Sequence, residues 1–415
     1  MSKNVAIIGG GIIGLCTAYY LQKEGHHVTV IDKSDFSSGA SFVNAGYITP
    51  SHFIPLSAPG MITKGLKWML NASSPFYIKP RLDVDFIKWS WAFKKSATKE
   101  KVEQAIPILI DFNVFSRDLY EDIKASQEFD FHYERKGLLM CYKSDEVGEE
   151  EWKIGQRGIQ EGLDVKHLSA KEVEQIEPNA KLDIKGAVYF NSDAHMTPSD
   201  FMPQMIAHLK SEQVTFYANE TVDDIEVSNG NILALKTNHR TIPIDEVVLA
   251  AGSWSPFIAK KLGINIPVQA GKGYRINVER DTQITIPAIL CEAKVAVTPM
   301  QGFTRFAGTM EIGDINHDIS PVRVNAIASA AEAYYSNLKI NTLEKNNADC
   351  GLRPCSPDGL PYIGKSSKCK NLTIATGHAM MGWSLGPATG KLVSDIICEK
   401  RPSLNLDPFQ PDRKF

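Results

Sequence analysis

The chain has 415 residues, 43% of them hydrophobic and 22% charged, and its formal net charge at pH 7 is -3. This length predicts about two domains, and the balanced charge excludes the basic surface that nucleic-acid binding requires. The seven cysteines lack C-x-x-C and zinc-type spacing, so we expect reduced thiols, a cytoplasmic protein and no metal site. No apolar run approaches the roughly 18 residues that span a bilayer, so any membrane contact should be peripheral, on the inner face.

The N-terminus combines a strand, a glycine-rich turn, a helix and a second strand. Residues 5–8 are typical of a buried parallel strand, and Gly9, Gly11 and Gly14 match G-x-G-x-x-G at the start of a helix. These glycines permit the tight turn, the approach of a pyrophosphate and the close packing of helix on strand. Asp32 ends the second strand, where a carboxylate accepts hydrogen bonds from ribose and repels a 2′-phosphate. The pattern predicts an ADP-ribose site for NAD or FAD.

Small side chains over residues 34–46 would let a second large planar group approach the backbone. Residues 47–70 are apolar, aromatic and broken by prolines, so they cannot form one helix. We expect this segment either to cover the site or to contact something apolar, such as a membrane quinone.

Hydrophobic periodicity predicts helices at residues 87–93, 106–123, 149–162, 170–176, 198–210, 321–338 and 387–398. The acidic helices at 149–162 and 170–176 are interpreted as solvent-exposed faces. Residues 214–237, with the turn at Asn229 and Gly230, predict a small antiparallel meander. The apolar strand at 246–250 is typical of a strand buried on both faces, so we expect the chain to return there to the first sheet.

These elements predict an α/β protein with two interleaved domains. The first is a Rossmann-like domain that binds the nucleotide, and the second is an α+β substrate domain with a mixed or antiparallel sheet, part of it in the strand-rich residues 266–307. The predicted boundaries are 1–46, 198–265 and 349–415 for the first domain, and 47–197 and 266–348 for the second.

The motifs together resemble one family. The N-terminal glycines with Asp32, the loop at 41–46, Ala251-Gly252, Gly351-Leu352-Arg353-Pro354, and Thr376-Gly377-His378 with Gly382 resemble the FAD-dependent amine oxidoreductases of the D-amino-acid oxidase and glycine oxidase fold. The segment 44–69 with Lys272-Gly273-Tyr274 is similar, more narrowly, to bacterial D-amino-acid dehydrogenase small subunits, although residues 49–54 and 379–381 depart from that pattern.

The resemblance implies FAD, with its ring system between the loops at 44–46 and 380–384 and the N-terminus of the last helix near flavin N1. The residues expected to contact FAD are Gly9, Gly11, Ile12, Ile13, Gly14, Asp32, Lys33, Ser41, Asn44, Ala45, Gly46, Val222, Ala251, Gly252, Gly377, Met381, Gly382, Trp383 and Ser384.

Four residues are catalytic candidates. Arg353 can hold a substrate carboxylate with two parallel hydrogen bonds, the alternative being a structural ion pair. Tyr274 is expected either to orient the same carboxylate or to pack as a half-buried strand residue. His52 is a candidate for contact with the substrate amine or side chain, and His378 either takes part in the site or braces the flavin loop from a buried position.

The expected reaction moves a hydride from the substrate Cα to flavin N5 and leaves an imine that water converts to a 2-oxo acid. D-Amino acids are the substrates that the resemblance implies, with D-proline or cis-4-hydroxy-D-proline as a variant and a glycine or sarcosine oxidase as the alternative. Two hypotheses from other functional classes are a nicotinamide-dependent dehydrogenase and a non-catalytic flavin-binding protein. Oxygen or a quinone as electron acceptor, and the oligomeric state, stay open.

Overall fold

The computed structural model of the protein describes residues 2–58, 74–79 and 81–415. In this part of the chain a six-stranded sheet carries the N-terminal motif, with parallel pairing except at its last edge pair. Its strands in spatial order are β10 (Thr215–Tyr217), β2 (His27–Ile31), β1 (Asn4–Ile8), β14 (Glu246–Leu249), β21 (Leu372–Thr376) and β20 (Tyr362–Lys365).

Ten α-helices lie within the described residues: α1 (Ile12–Lys23), α2 (Val84–Ser96), α3 (Lys99–Ser126), α4 (Asp145–Gln160), α5 (Ala170–Ile176), α6 (Pro198–Ser211), α7 (Ser255–Lys261), α8 (Pro321–Tyr334), α9 (Thr342–Asn346) and α10 (Gly386–Ile397).

Strand alternation divides the core between the two faces of the first sheet. Val5 and Ile7 of β1 join the cluster that contains α1 and α10, whereas Ala6 and Ile8 join a cluster with a small antiparallel sheet. That sheet consists of β11 (Val222–Ser228), β12 (Asn231–Thr237) and β13 (Thr241–Pro243).

A nine-stranded mixed sheet forms the second layer. Its order is β19 (Asp349–Cys355), β15 (Gln269–Val278), β18 (Phe303–Gly313), β17 (Val295–Met300), β16 (Ala288–Leu290), β6 (Leu138–Tyr142), β8 (Gly186–Phe190) and β7 (Val165–Ser169), with β4 (Phe76–Ile78) paired to β18. A three-stranded sheet has the order β3 (Tyr47–Ile48), β9 (Ala194–Met196) and β5 (Tyr133–Glu134), and its strand β3 directly follows the loop at 41–46. The α/β class and the mixed second sheet that we predicted are confirmed.

Three predictions need correction or restriction. Residues 215–217 do not belong to the antiparallel meander but pair in parallel with β2, because β2 would otherwise be the edge strand of the six-stranded sheet and its outer backbone groups would be unpaired. Glu151 on the acidic helix α4 is not on a solvent face, because it is 6% exposed and ion-paired. Residues 59–70 of the proline-broken segment lie outside the described residues.

The domain boundaries stay a prediction. β19, which carries Arg353, pairs with β15 at the edge of the nine-stranded sheet, and the chain rejoins the six-stranded sheet only at β20. No helix in the described ranges is long and apolar enough to cross a membrane.

Candidate active site

A cavity of about 1090 Å³ lies between the two large sheets and is lined by residues from both. It contains the glycine turn after β1, the ends of β2 and β14, the loop at 38–45, and parts of β15, β18 and β19. The predicted catalytic residues Arg353, Tyr274, His52 and His378 all border it. Of the residues predicted to contact FAD, Gly14, Gly46 and Gly377 do not line the cavity, and the others do.

Glycines shape one end of the cavity by removing side chains. Gly9 has a φ of 112°, and a Cβ there would collide with the backbone oxygen of Ala250. Gly14 contributes through packing, because a Cβ there would overlap the carbonyl oxygen of Gly9 and push α1 off the turn. The turn therefore keeps the shape that lets a pyrophosphate approach only while Gly9 and Gly14 are both glycine.

Asp32 holds the same turn from the end of β2. Its Oδ2 accepts from the Gly10 N–H at 2.6 Å, and its Oδ1 accepts from the N–H and the hydroxyl of Ser34 at 2.8 and 2.7 Å. A carboxylate offers about four acceptor positions, so one remains for a ribose hydroxyl. Lys33 points elsewhere, with its ammonium 3.3 Å from the ring centroid of Trp254. The carboxylate therefore both fixes the turn and faces the cavity.

The loop at 41–46 is held by a residue that the sequence did not indicate. Arg305 on β18 is 2% exposed and donates through Nη1 to the backbone oxygens of Phe42 and Asn44, at 3.0 and 2.5 Å. Burial lowers its pKa to about 9. From the other side, the hydroxyl of Ser41 accepts from the Ile12 N–H at 3.0 Å. Contacts from β18 and from the start of α1 therefore hold this small-residue loop in place.

The opposite wall is a 3₁₀ turn, Ala379–Met381, followed by Gly382, Trp383 and Ser384. α10 begins behind this wall at Gly386, and its Ala388 N–H donates to Ser116 on α3. Two further α3 side chains brace the wall: the Tyr120 hydroxyl donates to the Trp383 carbonyl at 2.7 Å, and Asn113 accepts from the Ser384 hydroxyl at 2.7 Å. Hydrophobic periodicity predicts a helix at 106–123 within α3, but it does not reveal the partners of the polar residues.

Two buried polar atoms in this wall have no partner within the described residues. The Nε2 of His378 bonds the Thr389 hydroxyl at 3.0 Å, but its Nδ1 is unpaired, as is the indole Nε1 of Trp383. Burial lowers the pKa of His378 to about 3, so the imidazole is neutral. Buried polar atoms are normally hydrogen-bonded, so the free Nδ1 of His378 and Nε1 of Trp383 fit a wall that binds a polar planar ligand.

Arg353 is a cation without a counter-ion in the described part of the chain. Its Nη1 donates to the backbone oxygen of Thr309 at 2.7 Å, no carboxylate pairs with it, and burial lowers its pKa. Thr309 has a φ of 69°, which is unusual for a β-branched residue. The guanidinium lies across Gly273 on β15, where a Cβ would overlap it. The structure thus leaves donors of Arg353 directed at the cavity.

Tyr274 is placed differently. In the β15-β19 pairing it faces Cys350, whereas Arg353 faces Gly271, so alternation puts the two side chains on opposite faces. Its hydroxyl donates to Glu311 at 3.2 Å, and Glu311 is ion-paired with Arg323. This position agrees with the packing alternative. The informative residue of the Lys272-Gly273-Tyr274 motif is its glycine.

His52 borders the cavity above a buried carboxylate. Its Nδ1 lies 3.0 Å from the Ser51 hydroxyl, which donates in turn to Asp193, a residue with no exposed surface. Burial, together with Lys294, lowers the pKa of His52 to about 4, and burial raises the pKa of Asp193 to about 7. Lys294 pairs with Glu151 at 3.1 Å, and both line the cavity. The sequence analysis predicted neither Glu151 nor Lys294 at the site. Glu151 lies on an acidic helix, which usually faces solvent, and Lys294 belongs to no motif.

A dinucleotide-binding turn, a wall with unpaired polar atoms and an arginine without an acidic partner among the described residues border one cavity, as expected of an oxidoreductase that holds a dinucleotide cofactor. Residues 4–396 match the DAO family, FAD dependent oxidoreductase, and the chain belongs to that family. FAD is thus the cofactor, and the choice that the glycine motif left open between NAD and FAD is decided. The residues that would hold it are the Gly9–Gly14 turn, Asp32 and the wall from His378 to Ser384.

Individual proteins agree with this assignment over the whole chain. A D-amino acid dehydrogenase of Helicobacter pylori is 30% identical over 409 residues, covering 98% of both chains. The crystal structure of glycine oxidase from Geobacillus kaustophilus superposes with a TM-score of 0.79 at 22% identity, over 100% of this chain and 99% of that one. L-proline dehydrogenase from P. horikoshii gives a TM-score of 0.74 at 19% identity, over 99% and 97%. These two structures support the fold.

Proposed function

We propose that the enzyme oxidises the Cα–N bond of a D-amino acid or a cyclic D-imino acid. The observation that carries this proposal is the guanidinium of Arg353, which faces the cavity with one backbone hydrogen bond and no acidic partner among the described residues. An unpaired guanidinium that lines a cavity favours an anion there, and the carboxylate of an amino acid matches the fork of its free donors. The D configuration rests on the similarity to the D-amino acid dehydrogenase of Helicobacter pylori.

The chain's own residues define how such a substrate would be held. Arg353 binds the carboxylate, and Gly273 leaves room for the guanidinium to lie flat. Burial beside this positive charge disfavours an ammonium, so the amine binds in its neutral form, and His52 is a neutral imidazole at pH 7. Bound FAD supplies the hydride acceptor. No charged side-chain base is required.

The substrate side chain has a wall with both apolar and ionic parts. Met140, Ile154 and Ile289 line the cavity near the Glu151–Lys294 pair. Apolar or cyclic side chains fit the first part, and D-proline and cis-4-hydroxy-D-proline remain the cyclic candidates. Glycine and sarcosine leave this wall without contacts, so we place the glycine-oxidase alternative second.

The test is anaerobic flavin reduction by a panel of D- and L-amino acids that includes D-proline, cis-4-hydroxy-D-proline, glycine and sarcosine. We expect bleaching of the flavin bands by D-configured or cyclic substrates. Bleaching by glycine and sarcosine alone would support the oxidase, and bleaching by L-amino acids alone would refute the proposal. Comparing oxygen consumption with reduction of a quinone dye, using the substrate so found, then identifies the electron acceptor.

A further inference from the structure

Three metal-ligating side chains converge outside the active-site cavity, on the small sheet of β5, β9 and β3. Glu134 on β5 pairs directly with His195 on β9, and His132 precedes Glu134 by two residues. Strand alternation therefore places the three side chains on one face. One potential ligand atom from each residue lies within 4.8 Å of the other two.

His195 is the unusual member of this cluster. The residue has no exposed surface, and neither of its ring nitrogens has a hydrogen-bond partner within the described residues. Its Nε2 lies 3.4 Å from Oε2 of Glu134. Buried polar atoms are normally hydrogen-bonded, but here the Glu134 carboxylate approaches Nε2 without forming a hydrogen bond, and Nδ1 has no partner among the described residues.

His132 is already oriented toward the same point. Its Nδ1 lies 2.8 Å from the Thr197 hydroxyl, and its Nε2 lies 3.9 Å from Oε2 of Glu134. Metal-binding histidines commonly donate their other ring N–H to a fixed acceptor. The Thr197 oxygen accepts from the Gln301 N–H at 2.9 Å and has a second lone pair that can accept from a protonated His132 Nδ1. With the proton on Nδ1, the lone pair of Nε2 faces the cluster.

We propose that His132, Glu134 and His195 form a binding site for a divalent transition-metal ion of the zinc type. Two imidazoles and one carboxylate are a ligand set that binds zinc with an open fourth position. At Zn–N distances of about 2.0–2.1 Å, tetrahedral ligands stand roughly 3.3 Å apart. The two separations to Glu134, 3.4 and 3.9 Å, are near this value, and all three ligand atoms lie within 4.8 Å of one another, so side-chain rotations would have to close the set around an ion. His132 and Glu134 are partly exposed, at 19% and 35%, which opens a path for the ion.

Lys136 competes with this ion. Its ammonium lies 2.9 Å from Oε2 of Glu134 and must leave when a cation binds. The ion pair accounts for the carboxylate but leaves both nitrogens of His195 unpaired. Removing Lys136 should therefore strengthen metal binding, an effect opposite to that of removing a ligand.

The bound ion would stabilise the strands that follow and support the loop at 41–46. It joins β5 to β9, and Met196 of β9 donates its N–H to the carbonyl of Gly46 at 2.9 Å. The site is structural, because its ligands do not line the active-site cavity. The cysteine spacing could not reveal it, since its histidines are far apart in the chain.

The holoenzyme, freed of metal with a chelator, is titrated with Zn²⁺ by calorimetry and with Co²⁺ by absorption at wavelengths beyond the flavin bands. We expect one ion per chain, and at least about tenfold weaker binding in the His132→Gln and Glu134→Gln variants, since losing even an outer partner of a ligand costs about 10- to 100-fold. Lys136→Ala should bind more tightly. His208→Gln is the matched control, because His208 faces Glu128 at 3.5 Å outside this cluster.

Both ligand variants change partly exposed side chains, so they should fold even if a His195 variant does not. A wild-type holoenzyme that binds neither ion would overturn the proposal. Equal affinity in the wild type, His132→Gln and Glu134→Gln would also overturn it, because the ion would then bind elsewhere.

Discussion

The guanidinium of Arg353 lies flat across Gly273 of the neighbouring strand, and no side chain larger than glycine's leaves that space open. The two residues lie on β19 and β15, and Arg353 pairs with Gly271 in the same ladder. The position of this guanidinium therefore depends on Gly273, whereas a Cβ at Gly271 would meet Met310 and Cys355 instead.

Gly273→Ala should displace this guanidinium without removing its charge. A shift of about 1 Å in a positioning group can lower turnover about 100-fold, and we expect a loss of that order in the rate of flavin reduction. Gly313→Ala is the control, because the nearest atom to a Cβ there is Lys79 Cβ at 3.8 Å. Unchanged kinetics in Gly273→Ala would show that Arg353 does not need its present position.

Asp32→Ala should weaken retention of FAD. The substitution removes a charged acceptor from ribose and leaves the Gly10 N–H without its partner, a loss on the order of 1.5 to 3 kcal/mol. Flavin content after dilution and dialysis measures this. Asp35→Ala, which removes a nearby exposed carboxylate that accepts hydrogen bonds from Ser37, should keep its flavin. Full occupancy in Asp32→Ala would contradict the assignment.

Asp193 should make stability depend on pH. Its pKa is raised from 3.8 to about 7 in the folded protein, so between these values the folded state holds a proton that the unfolded chain has lost. The contribution is complete below about pH 4 and disappears as pH rises through 7. The melting temperature of the wild type should thus fall from pH 5 to pH 8, and it should fall less in Asp193→Asn. Parallel curves for the two proteins would exclude this carboxylate as the cause.

The N-terminal site was predictable because its residues are close in the chain. One turn and two strands bring Gly9, Gly14 and Asp32 together, and the spacing alone indicates a nucleotide. Arg353 followed from the family resemblance. Tyr274 shows the limit of a motif, since alternation along β15 turns its side chain away from Arg353 and toward Glu311.

Residues that act from distant segments were not predictable. Arg305 on β18 holds the loop at 41–46, and Asn113 and Tyr120 on α3 brace the opposite wall of the cavity. A helical pattern marks the apolar face of α3, but the partners of polar residues on that face depend on the tertiary fold. Glu151 was missed for the same reason, because its partner Lys294 lies on a different element.

The most direct test of the account is anaerobic flavin reduction by Arg353→Leu, with the substrate that reduces the wild type. If Arg353 holds the carboxylate, the variant should lose about 2 to 5 kcal/mol of catalytic efficiency, roughly 30-fold to several-thousand-fold, with unchanged flavin content and melting temperature. Arg353→Lys should recover only part, since a point charge replaces a planar fork. Near-normal half-saturation and rate in Arg353→Leu would contradict the account, because another cation would then bind the substrate.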